Sequence, residues 1–292
     1  MNVKSGRLGT IGVVGAGQMG RGIAQVSALA DLCVVLHDTE QRILEAAKSA
    51  IDASLQAAVG KGKISQVDMT TALHQIGITT KMHDLGACDF VIEAVTESLS
   101  LKQTIFESLD GICRKSVVLA SNTSSISITR LAAATRRPTR VIGMHFMNPG
   151  PVMKLVEIIV GQRTEAAVVE ETRVLVARLG KTPVISQDLP GFISNRILMP
   201  MINEAICALY ERVGTKEDID AVMTLGMRHP MGPLALADLI GLDTCLAIME
   251  VLHEGFGDSK YRPCPLLRRM VDAGLLGRKT GHGFYEYGNA PK

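Results

Sequence analysis

The stretch TIGVVGAGQMG (Thr10–Gly20) decides the fold, because it joins a short apolar run to a glycine-rich turn and then to a helical pattern. The apolar run (residues 10–15) predicts a β-strand, and the apolar residues after Gly20 recur with the spacing of one helix face. The turn between them has the spacing G-x-G-x-x-G, which lets the backbone approach a ligand closely. The stretch therefore predicts the first strand–turn–helix unit of a nucleotide-binding sheet.

Asp38 ends the second predicted strand, 18 residues after Gly20. A carboxylate at this point accepts hydrogen bonds from both ribose hydroxyls of a dinucleotide and repels a 2′-phosphate, while the pyrophosphate lies on the helix N-terminus. We therefore predict that the cofactor is NAD rather than NADP. We also prefer a cofactor site to the alternative that the glycine turn only packs a helix against a strand. The predicted cofactor contacts in the turn are Gly15, Ala16, Gly17, Gln18, Met19 and Gly20.

Short β-rich runs alternate with helical patterns as far as about Gln187, which predicts parallel βαβ units. Several runs are continuously apolar, as expected of strands that are covered on both faces. The fold class is therefore α/β, with a Rossmann-like, doubly wound, mostly parallel sheet. After the first strand, the runs are CVVLHD (33–38), DFVIEAV (89–95), SVVLAS (116–121), RVIGMHF (140–146), KLVEIIV (154–160) and TPVISQ (182–187).

The pattern changes to long helical runs after the Pro-Gly pair at 190–191. One helix is predicted over residues 193–210, and another begins at Thr215, which has two acidic residues in the turn that follows. We therefore predict an NAD-binding domain over residues 1–187 and an all-helical second domain over residues 188–292.

Composition excludes several classes of protein. The net charge is only +2, aromatic residues make up 3% of the chain and Trp is absent, which argues against a nucleic-acid partner. Every long apolar stretch contains charges, so we expect no membrane-spanning segment. Six scattered cysteines lack both Cys-x-x-Cys spacing and a histidine at ligand spacing. They predict reduced core thiols in an intracellular protein, with no metal site.

His145 ends a predicted strand, at the edge where open α/β sheets bind their ligands. Glu157 lies in the otherwise apolar run 155–160, and a buried carboxylate is costly unless it is paired. Glu157 accepting a hydrogen bond from one ring nitrogen would fix the tautomer and leave the other nitrogen to take a hydroxyl proton. A lone histidine is more often structural, but this pairing favours a general base that works with hydride transfer to the cofactor.

Six motifs in order, spread over nearly the whole chain, resemble the 3-hydroxyacyl-CoA dehydrogenase family in its compact, short-chain (3-hydroxybutyryl-CoA) form. Their number and order make them far more specific than a single glycine-rich turn. They are SNTSS (121–125), GMHFMNP (143–149), MKLVEII (153–159), GFISNR (191–196), HPMGPLALADLIGLD (229–243) and GRKTGHGFYEY (277–287).

The resemblance implies that His145 is the catalytic base and that Glu157 orients it. It further implies that Ser124 hydrogen-bonds the reacting substrate oxygen, and that Asn195 reaches the same centre from the first helix of the second domain. From the residues alone, Ser124 could instead be a helix N-cap before Ile126, and Asn195 an ordinary polar residue on a helix face.

The resemblance also supplies contacts to cofactor and substrate. It places Glu97 and Lys102 beside the nicotinamide and its ribose, whereas without the resemblance we would favour a weak pair on a solvated helix face. On the cofactor side it adds Asn122, Asn148 and Lys279. At the CoA end it adds Ser54 and Lys61, in a region that is shorter between residues 63 and 76 than in some relatives.

The implied function is reversible oxidation of an (S)-3-hydroxyacyl-CoA by NAD, as in fatty-acid β-oxidation, by a homodimer formed through the second domain. The apolar C-terminal helices suit an interface, although they also suit a domain core. A free β-hydroxy acid or a carrier-protein-bound acyl group remains an alternative substrate, and a non-catalytic NAD-binding structural protein an alternative class. We expect a cytoplasmic protein, or a peroxisomal one if a C-terminal signal has been trimmed.

Overall fold

The computed structural model describes residues 8–288 of the chain. The chain divides into two compact units, of which the first ends at Asp188 and the second begins at Leu189. The first unit carries the sheet and the second is helical. The division into an NAD-binding domain, 1–187, and a helical domain, 188–292, stays a prediction.

The first unit is built on one eight-stranded sheet. Its strands are β1 Thr10–Val14, β2 Cys33–His37, β3 Ile76–Thr79, β4 Phe90–Glu93, β5 Val118–Ser121, β6 Val141–Phe146, β7 Leu155–Val160 and β8 Thr182–Gln187. Their order across the sheet is β3-β2-β1-β4-β5-β6-β7-β8. The order turns back beside β1, and such a switch point is where doubly wound sheets bind ligands.

Six helices connect these strands and cover the sheet. They are α1 Gln18–Leu29, α2 Gln41–Gly60, α3 Gln66–His74, α4 Leu99–Ile112, α5 Ile128–Ala132 and α6 Ala166–Arg178. The inner strands β4, β5 and β6 are buried at every residue, whereas the edge strand β8 is exposed at several. Continuous apolar runs therefore mark the strands that have helices on both faces.

The turn between β1 and α1 requires its glycines. Gly15 has a φ of +98°, a conformation that side chains disfavour, and a Cβ on Gly20 would lie 1.7 Å from the carbonyl oxygen of Gly15. The helix can therefore begin directly against the strand end only with glycine at both positions.

The sheet is parallel from β3 through β6 and reverses once, because β7 runs antiparallel to β6 and β8 follows β7. The ladder between β6 and β7 places His145 directly opposite Glu157. This reversal fits the predicted mostly parallel sheet and was not itself predicted.

Each of the seven predicted strands is present, within two residues at either end. Two further elements were missed, α3 and β3, which fill the region between residues 63 and 80 that the sequence left unassigned. One other expectation was wrong in part: Cys33 is exposed at the start of β2, although four of the six cysteines are buried and all six are free.

The second unit contains the helices α7 Ser194–Tyr210, α8 Lys216–Ala221, α9 Pro233–Ile240, α10 Leu242–Phe256 and α11 Pro265–Asp272. Thr215 caps α8 as predicted, since its side chain accepts a hydrogen bond from the backbone N–H of Asp218. Apolar residues from α7, α9, α10 and α11 form the core of this unit. Within residues 8–288, no helix is both long and apolar enough to span a bilayer.

Candidate active site

His145 and Glu157 form a buried pair on neighbouring strands. The Nδ1 atom of His145 lies 2.8 Å from a carboxylate oxygen of Glu157, and the two residues are 6% and 1% exposed. The antiparallel ladder fixes this geometry, because directly opposed residues on β6 and β7 project from the same face. The carboxylate can therefore hold the imidazole in one orientation and tautomer.

The loop after β5 connects this strand pair to the rest of the sheet. Asn122 accepts a hydrogen bond from the backbone N–H of Phe146 at 2.9 Å through its side-chain oxygen, and donates its own N–H to the Glu93 carbonyl at 2.7 Å. Asn122 thus fixes the loop between β4 and the residue that follows His145. Ser124 lies two residues further along this loop.

Glu97 also binds the loop that follows β5. One of its carboxylate oxygens accepts hydrogen bonds from the Thr123 hydroxyl, from the N–H and hydroxyl of Ser125, and from the N–H of Ser124 at 2.9 Å. Burial of the carboxyl raises its pKa, but the charge of Lys102 and these hydrogen bonds outweigh burial, so the pKa of Glu97 lies below its ordinary value. Ser124 is not the helix N-cap that its sequence position also allowed, because Ser127 caps α5.

Lys102 is buried, at 1% exposure, so the alternative of a pair on a solvated helix face is wrong. Its Nζ atom donates to Glu93 at 2.6 Å and to the Val95 carbonyl at 3.2 Å, and lies 3.4 Å from Glu97. A buried ammonium needs such partners, because desolvation would otherwise favour its neutral form.

The glycine turn fits a dinucleotide pyrophosphate. A Cβ built on Gly17, the N-cap of α1, meets nothing within 4 Å, and no side chain in the described part of the protein caps this helix end. Asp38 lies at the carboxyl end of β2 and accepts a hydrogen bond from the N–H of Ala16 at 2.8 Å. The open N-terminus and this carboxylate suit a phosphate and a ribose respectively.

Asn148 links the strand of His145 to the nucleotide turn, because its side-chain oxygen accepts a hydrogen bond from Gln18 at 3.1 Å. Both residues line a cavity of about 170 Å³ that also includes Ser54 on α2. Lys61, the C-cap of α2, is exposed and is not among the residues that line this cavity. The structure thus brings Ser54, but not Lys61, beside the turn.

Lys181 anchors the loop that follows Asn148. Its buried ammonium donates to the carbonyl oxygens of Gly150 at 2.6 Å and Met153 at 2.7 Å, and burial lowers its pKa. Sequence analysis missed this lysine, since neither a motif nor a periodic pattern marks it.

Two predicted residues lie in the second unit. Asn195 is buried in the first turn of α7, at 8% exposure. Lys279 is exposed and forms an ion pair with Asp243. Their predicted contacts with substrate and cofactor stay predictions.

Glu93 is the other residue that sequence analysis missed. It is 0% exposed and ends the apolar strand β4. The rule that identified Glu157, a carboxylate in an otherwise apolar run, applies equally to the run 89–95. The signal was therefore present in the sequence.

Within the first unit, a phosphate-binding turn and a buried histidine–carboxylate pair are linked through Gln18 and Asn148. A sheet with a dinucleotide-type glycine turn and an imidazole at its carboxyl edge is typical of the nicotinamide-dependent dehydrogenases. The model described as 3-hydroxyacyl-CoA dehydrogenase, NAD binding domain, matches residues 10–189, and that described as its C-terminal domain matches residues 191–287. The chain belongs to the 3-hydroxyacyl-CoA dehydrogenase family, whose cofactor is NAD.

Similar proteins support this assignment over the full length of the chain. The 3-hydroxybutyryl-CoA dehydrogenase of Bradyrhizobium diazoefficiens is 55% identical over 96% of this chain and 96% of its own. The crystal structure of (S)-3-hydroxybutyryl-CoA dehydrogenase from Ralstonia eutropha has a TM-score of 0.95 and 51% identity, and covers 97% of this chain and 100% of that one. A solved diketoreductase is more distant, with a TM-score of 0.83 and 27% identity over 96% of this chain and 99% of that one.

Proposed function

We propose that this enzyme interconverts (S)-3-hydroxybutyryl-CoA and acetoacetyl-CoA, with NAD as the hydride acceptor. The buried pair of His145 and Glu157, 2.8 Å apart, carries the proposal, because it provides an oriented base at the edge of the sheet where the cofactor turn lies. The high identity to the 3-hydroxybutyryl-CoA dehydrogenase of Bradyrhizobium diazoefficiens supports the short-chain substrate.

His145 removes the proton of the substrate's C3 hydroxyl through Nε2, while Nδ1 stays bonded to Glu157. The Glu157 carboxylate stabilises the imidazolium that forms, and in the reverse direction the same nitrogen returns the proton to the oxygen. Bound NAD supplies the acceptor for the hydride that leaves C3. General-base assistance of this kind is typically worth about 10²- to 10⁴-fold in rate.

Ser124 hydrogen-bonds the reacting oxygen in this proposal. Its support is the loop geometry: Glu97 holds the N–H of Ser124, and Asn122 ties the same loop to the residue after His145. A hydroxyl held in this way can stabilise charge that develops on the oxygen without reorganising during the reaction. We assign Asn195 a hydrogen bond to the substrate on the family resemblance alone.

The CoA handle is proposed to bind at Ser54 and Lys61. Support for Ser54 comes from the cavity that it shares with Gln18 and Asn148. Lys61 is exposed at the end of α2, where a flexible cation suits a phosphate.

The first test is NADH consumption, followed by absorbance, with acetoacetyl-CoA as substrate. Parallel assays use NADPH, free acetoacetate and an acetoacetyl group on a carrier protein. We expect rapid turnover only with NADH and the CoA thioester. Faster turnover with free acetoacetate or the carrier protein would overturn the CoA assignment, and NADH binding without any turnover would favour a non-catalytic role.

A homodimer through the second unit is also proposed. Val213 and Leu225 are 76% and 84% exposed, and a mostly apolar cavity of about 480 Å³ lies between α7, α8 and α9. Exposed apolar area of this kind usually marks an interface. Light scattering should report a dimer that Leu225→Glu weakens and that Leu101→Glu, at an exposed position on α4, leaves intact; a monomeric wild-type protein would refute the proposal.

We further propose that the enzyme acts in the cytoplasm. Six free cysteines and a similar protein from Bradyrhizobium diazoefficiens support this compartment, and the similar proteins give no support to the peroxisomal alternative. Fractionation of the source cells with an antibody against the chain tests it, and recovery in a membrane-bounded fraction would contradict it.

A further inference from the structure

Glu93 is fully buried, and both of its carboxylate oxygens accept hydrogen bonds from protein groups. One oxygen accepts hydrogen bonds from Lys102 Nζ at 2.6 Å and from the N–H of Val95 at 2.7 Å. The other accepts from the hydroxyl of Ser121 at 2.6 Å. Three segments therefore meet on this one side chain: the loop after β4, helix α4 and the end of β5.

Stability alone does not explain this arrangement. A buried ion pair can often be replaced by apolar residues of similar volume without loss of stability, because desolvation offsets most of the attraction. The strand that carries Glu93 is otherwise apolar, and the buried face of α4 that carries Lys102 is apolar except for Asp110, which pairs with Arg137. What an apolar pair could not do is fix the direction of hydrogen bonds to neighbouring groups.

Two routes of contacts lead from Glu93 to the loop that carries Ser124. In the first, the hydroxyl that donates to the carboxylate, that of Ser121, accepts from the N–H of Thr123 at 3.2 Å. In the second, the Nζ atom of Lys102 lies 3.4 Å from one carboxylate oxygen of Glu97. The other oxygen of Glu97 accepts a hydrogen bond from the N–H of Ser124 at 2.9 Å. Both routes end in the loop that carries the proposed substrate contact.

Lys102 is internal to this network. Its ammonium has three donors, and it has three protein partners in Glu93, Glu97 and the Val95 carbonyl. Lys102 is 1% exposed and can act on the loop through the carboxylates that it holds, and its predicted contact with the cofactor stays a prediction.

We infer that Glu93 is a positioning residue that sets the place of Ser124 in the active site. This inference rests on the role proposed above for Ser124. It assigns the buried carboxylate to the alignment of the substrate oxygen, where a displacement of about 1 Å can cost on the order of 10²-fold in rate.

Glu93→Gln tests the inference, because it keeps the shape of the side chain while removing its charge. We expect kcat with acetoacetyl-CoA and NADH to fall about tenfold to a hundredfold, with KM for NADH changed less than about threefold. Glu107→Gln, at an exposed position on α4, is the matched control and should leave both constants unchanged. Ser121→Ala breaks one route while it keeps the ion pair of Glu93 and Lys102, and should lower kcat by a smaller factor. It keeps the inference testable if Glu93→Gln fails to fold.

A double-mutant cycle separates positioning of Ser124 from a general effect. In the Ser124→Ala background, Glu93→Gln should cause little further loss of kcat, because the group that it positions is already gone. Full additivity of the two losses would overturn the inference. If Ser124→Ala alone left turnover unchanged, the role proposed for Ser124 would fail instead.

The double variant Glu93→Leu with Lys102→Met gives a second readout. A purely structural pair would regain both folding stability and kcat when both charges are removed together. If Glu93 positions Ser124, the free energy of unfolding should recover while kcat stays at least about tenfold low, because the loop has lost both of its routes to Glu93. Recovery of kcat to the wild-type value would contradict the inference.

Discussion

Two buried carboxylates in the first unit, Glu157 and Glu93, differ in their partners. Glu157 faces His145 across the one antiparallel ladder of the sheet, whereas Glu93 ends a parallel strand and binds Lys102. Both are at most 1% exposed. An imidazole has a ring nitrogen that can accept a proton, whereas an ammonium offers only hydrogen-bond donors.

Burial of a carboxylate therefore identifies an important position without revealing what it does. The partner decides the role: the histidine pair suits proton transfer, and the lysine pair suits holding a loop in place. Replacing the partners His145 and Lys102 tests this division. Replacing Glu157, and then Glu97, which also contacts Lys102, tests it further.

His145→Gln should have the largest effect. We expect kcat to fall about 10²- to 10⁴-fold, because the amide cannot take the hydroxyl proton. NADH affinity, measured by fluorescence titration, should stay close to that of the wild type. His83→Gln, at an exposed position, is the control. Near-normal turnover in His145→Gln would show that another group is the base.

Lys102→Met should affect folding more than His145→Gln does. It leaves Glu93 and Glu97 without their cation, and removing one partner of a buried pair typically costs about 3–5 kcal/mol in the free energy of unfolding. Urea denaturation measures this loss. Lys115→Met, whose side chain is 71% exposed, should cost under about 1 kcal/mol. Equal losses for the two lysine variants would contradict the buried pair.

Glu157→Gln should lower kcat about 10²-fold with little change in KM. The amide can offer an N–H to Nδ1 and so favour the wrong tautomer of His145, as happens when a carboxylate that orients a catalytic histidine is replaced. Steady-state kinetics measure the change, with Glu170→Gln on the exposed side of α6 as the control. A rise in KM with unchanged kcat would instead assign Glu157 to substrate binding.

Glu97→Gln should have the smallest effect, visible mainly in acid. Burial opposes ionisation of Glu97, but Lys102 and the loop hydrogen bonds lower its pKa, so its stabilisation is present above the ordinary value of about 4.3 and is lost as pH falls through the lowered pKa. The variant should therefore lose less stability than the wild type below about pH 4.3. Because Glu97 is 39% exposed, we expect a difference under about 1 kcal/mol.

Urea denaturation at a series of pH values measures that difference. Glu107→Gln should retain the acid loss of the wild type. A Glu97→Gln curve parallel to that of the wild type would contradict the contribution of this carboxyl.

The sequence predicted those parts of the fold that rest on local rules. The glycine turn, the continuously apolar strands and the Thr215 cap each follow from short-range sterics or hydrogen bonding. Strand β3 was not predicted because it has only four residues, one of them glycine, and because its pairing with β2 is a long-range contact. The reversed direction of β7 was not predicted for a related reason, since strand direction depends on the connection rather than on the apolar pattern.

The residues of the candidate site were likewise predicted only in part. Pairing of Glu157 with His145 followed from the cost of a buried carboxylate, and the distance between the two agrees with it. The alternative for Lys102, a pair on a solvated helix face, was wrong because lysines are mostly exposed, whereas this lysine lies on the buried face of α4. Anchors such as Lys181, which hold backbone carbonyls far away in the chain, leave no local pattern to recognise.

The antiparallel ladder between β6 and β7 makes the proposed proton-transfer pair depend on strand register. A slip of one residue would turn His145 to the opposite face of the sheet. The connection at residues 147–154 is anchored as well, because Asn148 accepts a hydrogen bond from Gln18 and Lys181 binds the carbonyls of Gly150 and Met153. A change in its length would therefore cost more than the about 0.6 kcal/mol expected for doubling a flexible loop, even where the register of the pair is unchanged.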